Sequence, residues 1–151
     1  MTEDDFWKLI NNIDGSELDS LEEGYYPEDQ LEPLVSSLSK LSAKEIEDFE
    51  DKLSYFLYNL DGQKYAYNAG ESGESDDGFL YARCWVVAKG KKHYETVLAN
   101  PKIMPKEISQ WCEPLIYVAS KAWALSTGND DEDWNYTPKY NYETGSNSSL
   151  W

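Results

Sequence analysis

Between Ser42 and Leu60 the apolar residues fall at Ile46, Phe49, Leu53, Phe56, Leu57 and Leu60. Steps of three and four gather on one side of an α-helix and scatter across both faces of a strand. Ser42 and Glu45 open the segment in a capping-box pattern, and Glu45, Glu47, Asp48, Glu50 and Asp51 are expected to form its outer face. The same period recurs along the chain, cut by glycine and proline. Thr2 can cap a helix with Glu3, Asp4 and Asp5 in its first turn, Phe6, Leu9, Ile10 and Ile13 on one side, and Gly15 at its end. Residues 14–26 read as a loop. Pro27 suits a first helical position, followed by Leu31, Leu34, Val35, Leu38 and Leu41. A short helix around Lys64–Ala69, helices over 76–89 and Lys91–Ala99, and a long one from Pro105 to Gly128 complete the set. Strand signals are scarce and no repeat is visible. The expectation is an all-α fold: a single compact multi-helix domain over 1–128, with an irregular acidic and aromatic tail over 129–151 that is mobile when free or packs loosely across the helices.

The chain has 151 residues, 40% apolar and 15% aromatic, which supplies a core despite a net charge of -16. No apolar run reaches the length of a membrane span. The acidic start MTEDDFWKLI lacks the basic region of a secretory signal. Cys84 and Cys112 lie far apart in apolar surroundings and are expected to be buried free thiols, as in a reducing compartment. A cytoplasmic location follows as an expectation. With 29 acidic against 13 basic side chains, the surface repels nucleic acid and anionic lipid and favours a basic protein partner. The plain alternative is that acidity serves solubility alone.

The stretch SDDGFLYARCW, Ser75 to Trp85, holds two adjacent carboxylates and the one arginine of the chain. Glu71, Glu74, Asp76 and Asp77 could in principle form a divalent-ion or acid–base site, but their spacing does not match a twelve-residue calcium loop. A structural role accounts for more. Ser75 is a good N-cap, Asp76 and Asp77 favour the first helical turn, and Gly78 leaves room for a neighbouring backbone. Arg83, among apolar neighbours, needs a partner; Asp76, Asp77 or Glu71 are near in sequence. His93 is the one histidine and has no second ligand at metal spacing, and GESGESDDG lacks the lysine of a phosphate-binding loop. No catalytic residue, metal ligand or cofactor is assigned.

These segments resemble a bacterial family, the domain-of-unknown-function family 4240. The resemblance runs through the TEDDFW-like helix (Thr2–Leu9), the block Ser75–Gly90, Tyr94, Asn100-Pro101 and the stretch Cys112–Gly128. Ala82 departs from the aromatic usual before the arginine, and the loop before Asp76 is enlarged by acids. The resemblance implies an α-helical fold, brings no catalytic residue with it, and suggests an accessory protein of the kind found beside bacterial toxins.

The function expected is therefore non-enzymatic binding, most concretely an immunity protein that neutralises a co-encoded basic toxin. The partner-binding surfaces expected are Glu47, Asp48 and Asp51; Glu71 and Glu74; and Asp130, Asp131, Asp133, Trp134 and Tyr136. The alternatives are a regulatory or adaptor protein with another partner, and a carboxylate-dependent hydrolase or metal enzyme built on Asp76 and Asp77.

Overall fold

A computed structural model describes residues 1–19 and 27–151. Among the described residues it contains eight α-helices and no strand: α1 (Glu3–Ile10), α2 (Gly15–Asp19), α3 (Glu28–Leu38), α4 (Ala43–Asn59), α5 (Gln63–Tyr67), α6 (Asp76–Ala88), α7 (Lys91–Ala99) and α8 (Val118–Thr127). The fold is all-α, as the periodicity indicates.

Helix starts follow local chemistry. Thr2 Oγ1 accepts from Asp5 N at 3.1 Å while the Asp5 carboxylate accepts from Thr2 N, a reciprocal cap on α1. Ser42 and Glu45 do the same for α4, at 3.2 and 2.9 Å. Gly15 does not simply end α1. It opens the short α2, which Asp14 caps by accepting from Ser16 N and Glu17 N. The loop read over 14–26 thus begins with a helix, and its remainder, 20–26, lies outside the described residues. Pro27 sits at the N-cap of α3, one residue earlier than expected.

The long helix expected from Pro105 is the largest difference. Residues 105–112 are irregular, Glu113–Tyr117 form a 3-10 turn, and only Val118–Thr127 are α-helical before Gly128 closes the element at φ 75°. Pro114 is the cause. It has no N–H to donate, and its ring would strike the carbonyl four residues back in a continuous helix. The apolar spacing of Ile108, Trp111, Cys112 and Leu115 mimics a helix, but Ile108 is exposed.

Two helices form the centre. Ten of the thirteen residues of α6 are buried, as befits a helix apolar nearly all round. Alongside it, α4 packs on α1, α6 and α8. Phe6, Trp7, Phe49, Phe56 and Tyr94 make an aromatic cluster whose neighbouring centroids lie 4.6–5.4 Å apart, in tilted and edge-on pairs. The Tyr94 hydroxyl donates to Phe56 O at 2.9 Å, so the polar end of that ring is satisfied inside the core. Burial also covers both thiols: Cys84 and Cys112 are free, and α6 meets the second through Cys112 N, which donates to Tyr81 O at 3.1 Å.

Candidate functional site

The SDDGF corner is a helix start. Ser75 Oγ accepts from Gly78 N at 3.0 Å, and Asp76 and Asp77 lie exposed in the first turn of α6. Gly78 is buried against Ser72 and Trp111; a Cβ there would come within 2.9 Å of Ser72 O and 3.1 Å of the Trp111 ring. The Trp111 indole N–H donates to Ser72 Oγ at 2.8 Å, which fixes the acidic 3-10 turn Gly70–Glu74 against the helix.

Arg83 does not pair with Asp76, Asp77 or Glu71. The guanidinium is fully buried: Nη1 donates to Leu57 O and Tyr142 O, both at 3.0 Å, and Nη2 donates to Thr144 Oγ1 at 3.1 Å. Its Cζ lies 4.6 Å from the Phe79 ring centroid. Burial pulls its pKa down, and the Asp61 charge works against that shift. The corner acids are out of reach because two helical turns, about 10 Å of axis, separate Asp76 from Arg83 and the first turn faces solvent. Thr144 joins them indirectly, its hydroxyl donating to Asp76 O at 2.7 Å.

Two carboxylates complete this arrangement from α4 and its end. Asp61, fully buried, accepts from Gly145 N, Asn147 N and the Trp151 indole N–H at 2.9–3.0 Å. Asp51, also buried, accepts from the Tyr136 hydroxyl at 2.9 Å and Lys139 N at 3.0 Å, with Lys139 Nζ at 3.2 Å. The tail is therefore bound across α4 and α6 by three buried charged groups and does not pack loosely. Asp51 anchors the chain rather than presenting itself to a partner.

Glu50 is the second departure from the expected outer face of α4. It is buried, its Oε2 has no hydrogen-bond partner, and burial together with the Asp51 charge pushes its pKa up to about 7. The phase of the helix explains its place: position 50 lies four residues after Ile46, three before Leu53 and seven before Leu57, on the apolar side. Residue type suggested solvent, and the period pointed inward.

A family model described as a protein of unknown function, DUF4240, matches residues 1–124. The chain belongs to this family. No curated protein and no solved structure matches it. The DUF4240 match ends within α8, so the tail bound by Asp51, Asp61 and Arg83 lies beyond it, while all three of these groups lie inside it.

On this DUF4240 framework the structure brings together two of the three surfaces expected from sequence. Glu47 and Asp48 remain partly exposed on α4, and Asp48 is held by Lys44 Nζ at 2.5 Å and the Met1 amine at 3.4 Å. Bonded to the adjacent Asp51 is Tyr136, whose phenol is pushed up to about 12 by burial, by that bond and by the charges of Asp51, Glu47 and Asp48. The Trp134 ring lies 5.8 Å from Tyr136 and 5.7 Å from Trp123 of α8 in tilted pairs, each ring half-buried. The 3-10 turn Asp131–Asp133 precedes this row; Asp130 caps it through Glu132 N at 3.1 Å, and Asp133 is exposed. Glu71 and Glu74 are exposed on a separate turn that packs on α5 and α6. His93 is half-buried on α7, its pKa lowered first by burial and then by Lys89. Among the described residues no three His, Cys, Asp or Glu side chains converge as metal ligands.

Proposed function

We propose that this protein is a non-enzymatic binding protein that holds a basic partner against an acidic, aromatic face, and most concretely an immunity protein for a co-encoded bacterial toxin in the cytoplasm. The observation that carries the reading is the junction of Glu47 and Asp48 with the Trp123–Trp134–Tyr136 row, beside the acidic turn Asp131–Asp133. Half-buried aromatic rings pre-set by mutual packing lose little freedom on binding, and a rim of one sign steers an oppositely charged partner. A basic active-site cleft, such as one shaped for phosphates, is the complementary surface.

The test is association with the basic protein encoded beside this gene. Steered association runs at about 10⁸ M⁻¹s⁻¹ at low salt and falls steeply as salt rises. Glu47→Lys combined with Asp133→Lys should slow association about tenfold and weaken protection of cells that express the partner, without lowering the melting temperature. Asp51 is left intact because it holds the tail. Unaltered rates in this variant at every ionic strength would overturn the reading.

A further inference from the structure

On the side where α3 meets α8 lies an open cleft of about 500 Å³. Its walls come from residues at helical spacing on both sides: Glu28, Leu31, Glu32 and Val35 on α3, and Val118, Lys121 and Leu125 on α8. Each wall therefore runs two turns, about 10 Å, the length over which a docked helix presents residues at i, i+3 or i+4, and i+7. The floor is apolar: Leu31, Val35, Pro114 and Val118 are buried beneath it, while Leu125 stands 68% exposed at its lip.

The rim carries one sign of charge. Glu28, Asp29 and Glu32 stand exposed along α3, and Asp131 closes the end of the cleft. Among the described residues the one cation in the lining is Lys121, which is engaged with Glu28 at 3.8 Å. Among the described residues four acids against one lysine give the lining a formal charge of −3. A second copy of a chain with net charge -16 would bring like charge to like. The cleft suits a segment whose apolar residues repeat at three and four and whose flanks are lysine or arginine.

We propose that the α3–α8 cleft is a docking groove for a cationic amphipathic helix of the partner protein. The groove deepens the binding reading above and rests on it, since Asp131 belongs to the acidic turn that leads into the Trp134–Tyr136 row. The partner's helix enters between α3 and α8 with its apolar side on Leu31, Val35, Val118 and Leu125. Its basic flanks face Asp29 and Glu32 on one side and Asp131 at the end.

The experiment uses the full-length chain and two synthetic peptides of about 18 residues, or five helical turns. Both contain the same leucines and lysines. One places leucine at helical spacing and the other alternates leucine with lysine. Fluorescence anisotropy at near-physiological salt should show the helical peptide binding at least about tenfold more tightly, because equal charge leaves only the apolar stripe to discriminate. Leu125→Lys, at an exposed position near a helix C-terminus where a cation is tolerated, should abolish that preference without lowering the melting temperature. Glu32→Lys should weaken binding of the helical peptide and lower the salt sensitivity of that binding, since one attractive charge is replaced by a repulsive one. Equal binding of the two peptides, or an unaffected Leu125→Lys variant, would mean that charge alone is being measured and would overturn the groove. So would concentration-dependent dimerisation in light scattering that Leu125→Lys abolishes. If Leu125→Lys leaves binding of the co-encoded protein intact while Glu47→Lys with Asp133→Lys weakens it, the groove fails and the binding reading stands. If the co-encoded protein never binds but the peptide preference holds, the groove stands and the immunity reading fails.

Discussion

Asp61 accepts three hydrogen bonds from the tail at a site closed to solvent, two from backbone N–H groups and one from an indole. Replacing it with alanine leaves the buried Asn147 N–H and the part-buried Gly145 N–H and Trp151 indole N–H unmatched, and removes the charge that acts on Arg83. A buried donor left without its partner costs about 1–3 kcal/mol, and with the loss of the charge beside Arg83 Asp61→Ala should lose about 3 kcal/mol. For a domain of this size that is roughly 6–12 °C in melting temperature. Thermal unfolding within a degree of wild type would sink this account of Asp61. Glu50 predicts a pH dependence instead. Its pKa rises from 4.5 unfolded to about 7 folded, chiefly through burial. The folded state holds the extra proton, so this contribution is fully present below about pH 4.5 and is lost as pH rises through 7. The loss approaches about 3 kcal/mol. Glu50→Gln should therefore melt higher than wild type at pH 8 and close to it at pH 4.5. A difference that stays constant across that range would show that folding does not raise the Glu50 pKa.

At the scale of elements, the tail and α8 separate what the sequence reveals from what it conceals. Deleting residues 136–151 removes every tail donor to Asp51 and Asp61 and two acceptors of Arg83. Three buried charged groups are then stranded together, at a cost comparable to a whole domain's stability of about 5–15 kcal/mol. The truncated chain should lose its cooperative thermal transition, and near-ultraviolet circular dichroism should collapse. A truncated chain that melts cooperatively near the wild-type temperature would show the tail to be dispensable. The helices themselves were legible because capping and period are local: Thr2, Ser42 and Ser75 each cap the helix their sequence context indicates. The tail was not, because its order comes from groups 60 to 90 positions away that no local pattern can reveal. Helix α8 is shorter than its apolar spacing suggests for another reason. An apolar spacing that satisfies a helix also satisfies irregular chain folded over a core, and Pro114 decides between them. Of the proposed binding surface, the acids are visible individually in the sequence. That Asp51 turns inward to hold Tyr136, so that Glu47 and Trp134 share a face, depends on tertiary packing.

At the scale of the molecule, charge sets the balance. With a net charge of -16, every acidic group in the fold sits in the field of many others, and unfolding lets them separate. A compact chain of this length has a radius of gyration near 15 Å. At 0.01 M ionic strength the Debye length is about 30 Å, so repulsion acts across the whole molecule, whereas at 1 M it is about 3 Å and only neighbours interact. Salt also weakens the exposed pairs Lys91–Asp4, Lys121–Glu28 and Lys44–Asp48. Such pairs contribute only about 0–1 kcal/mol each, and the groups that hold the tail are screened little because they are buried. Repulsion is therefore the larger salt-sensitive quantity, and adding salt should stabilise the fold. The melting temperature at pH 8 should rise by several degrees between 10 mM and 0.5 M sodium chloride. Most of the gain should come below about 0.15 M, where the Debye length falls past the distance between neighbouring charges on the surface. Potassium chloride should act equally, since screening depends on ionic strength and not on the cation. A melting temperature that falls with salt would mean that attraction among the exposed pairs outweighs the net charge. The acidic face would then be a network that holds itself together, not one held ready for a basic partner.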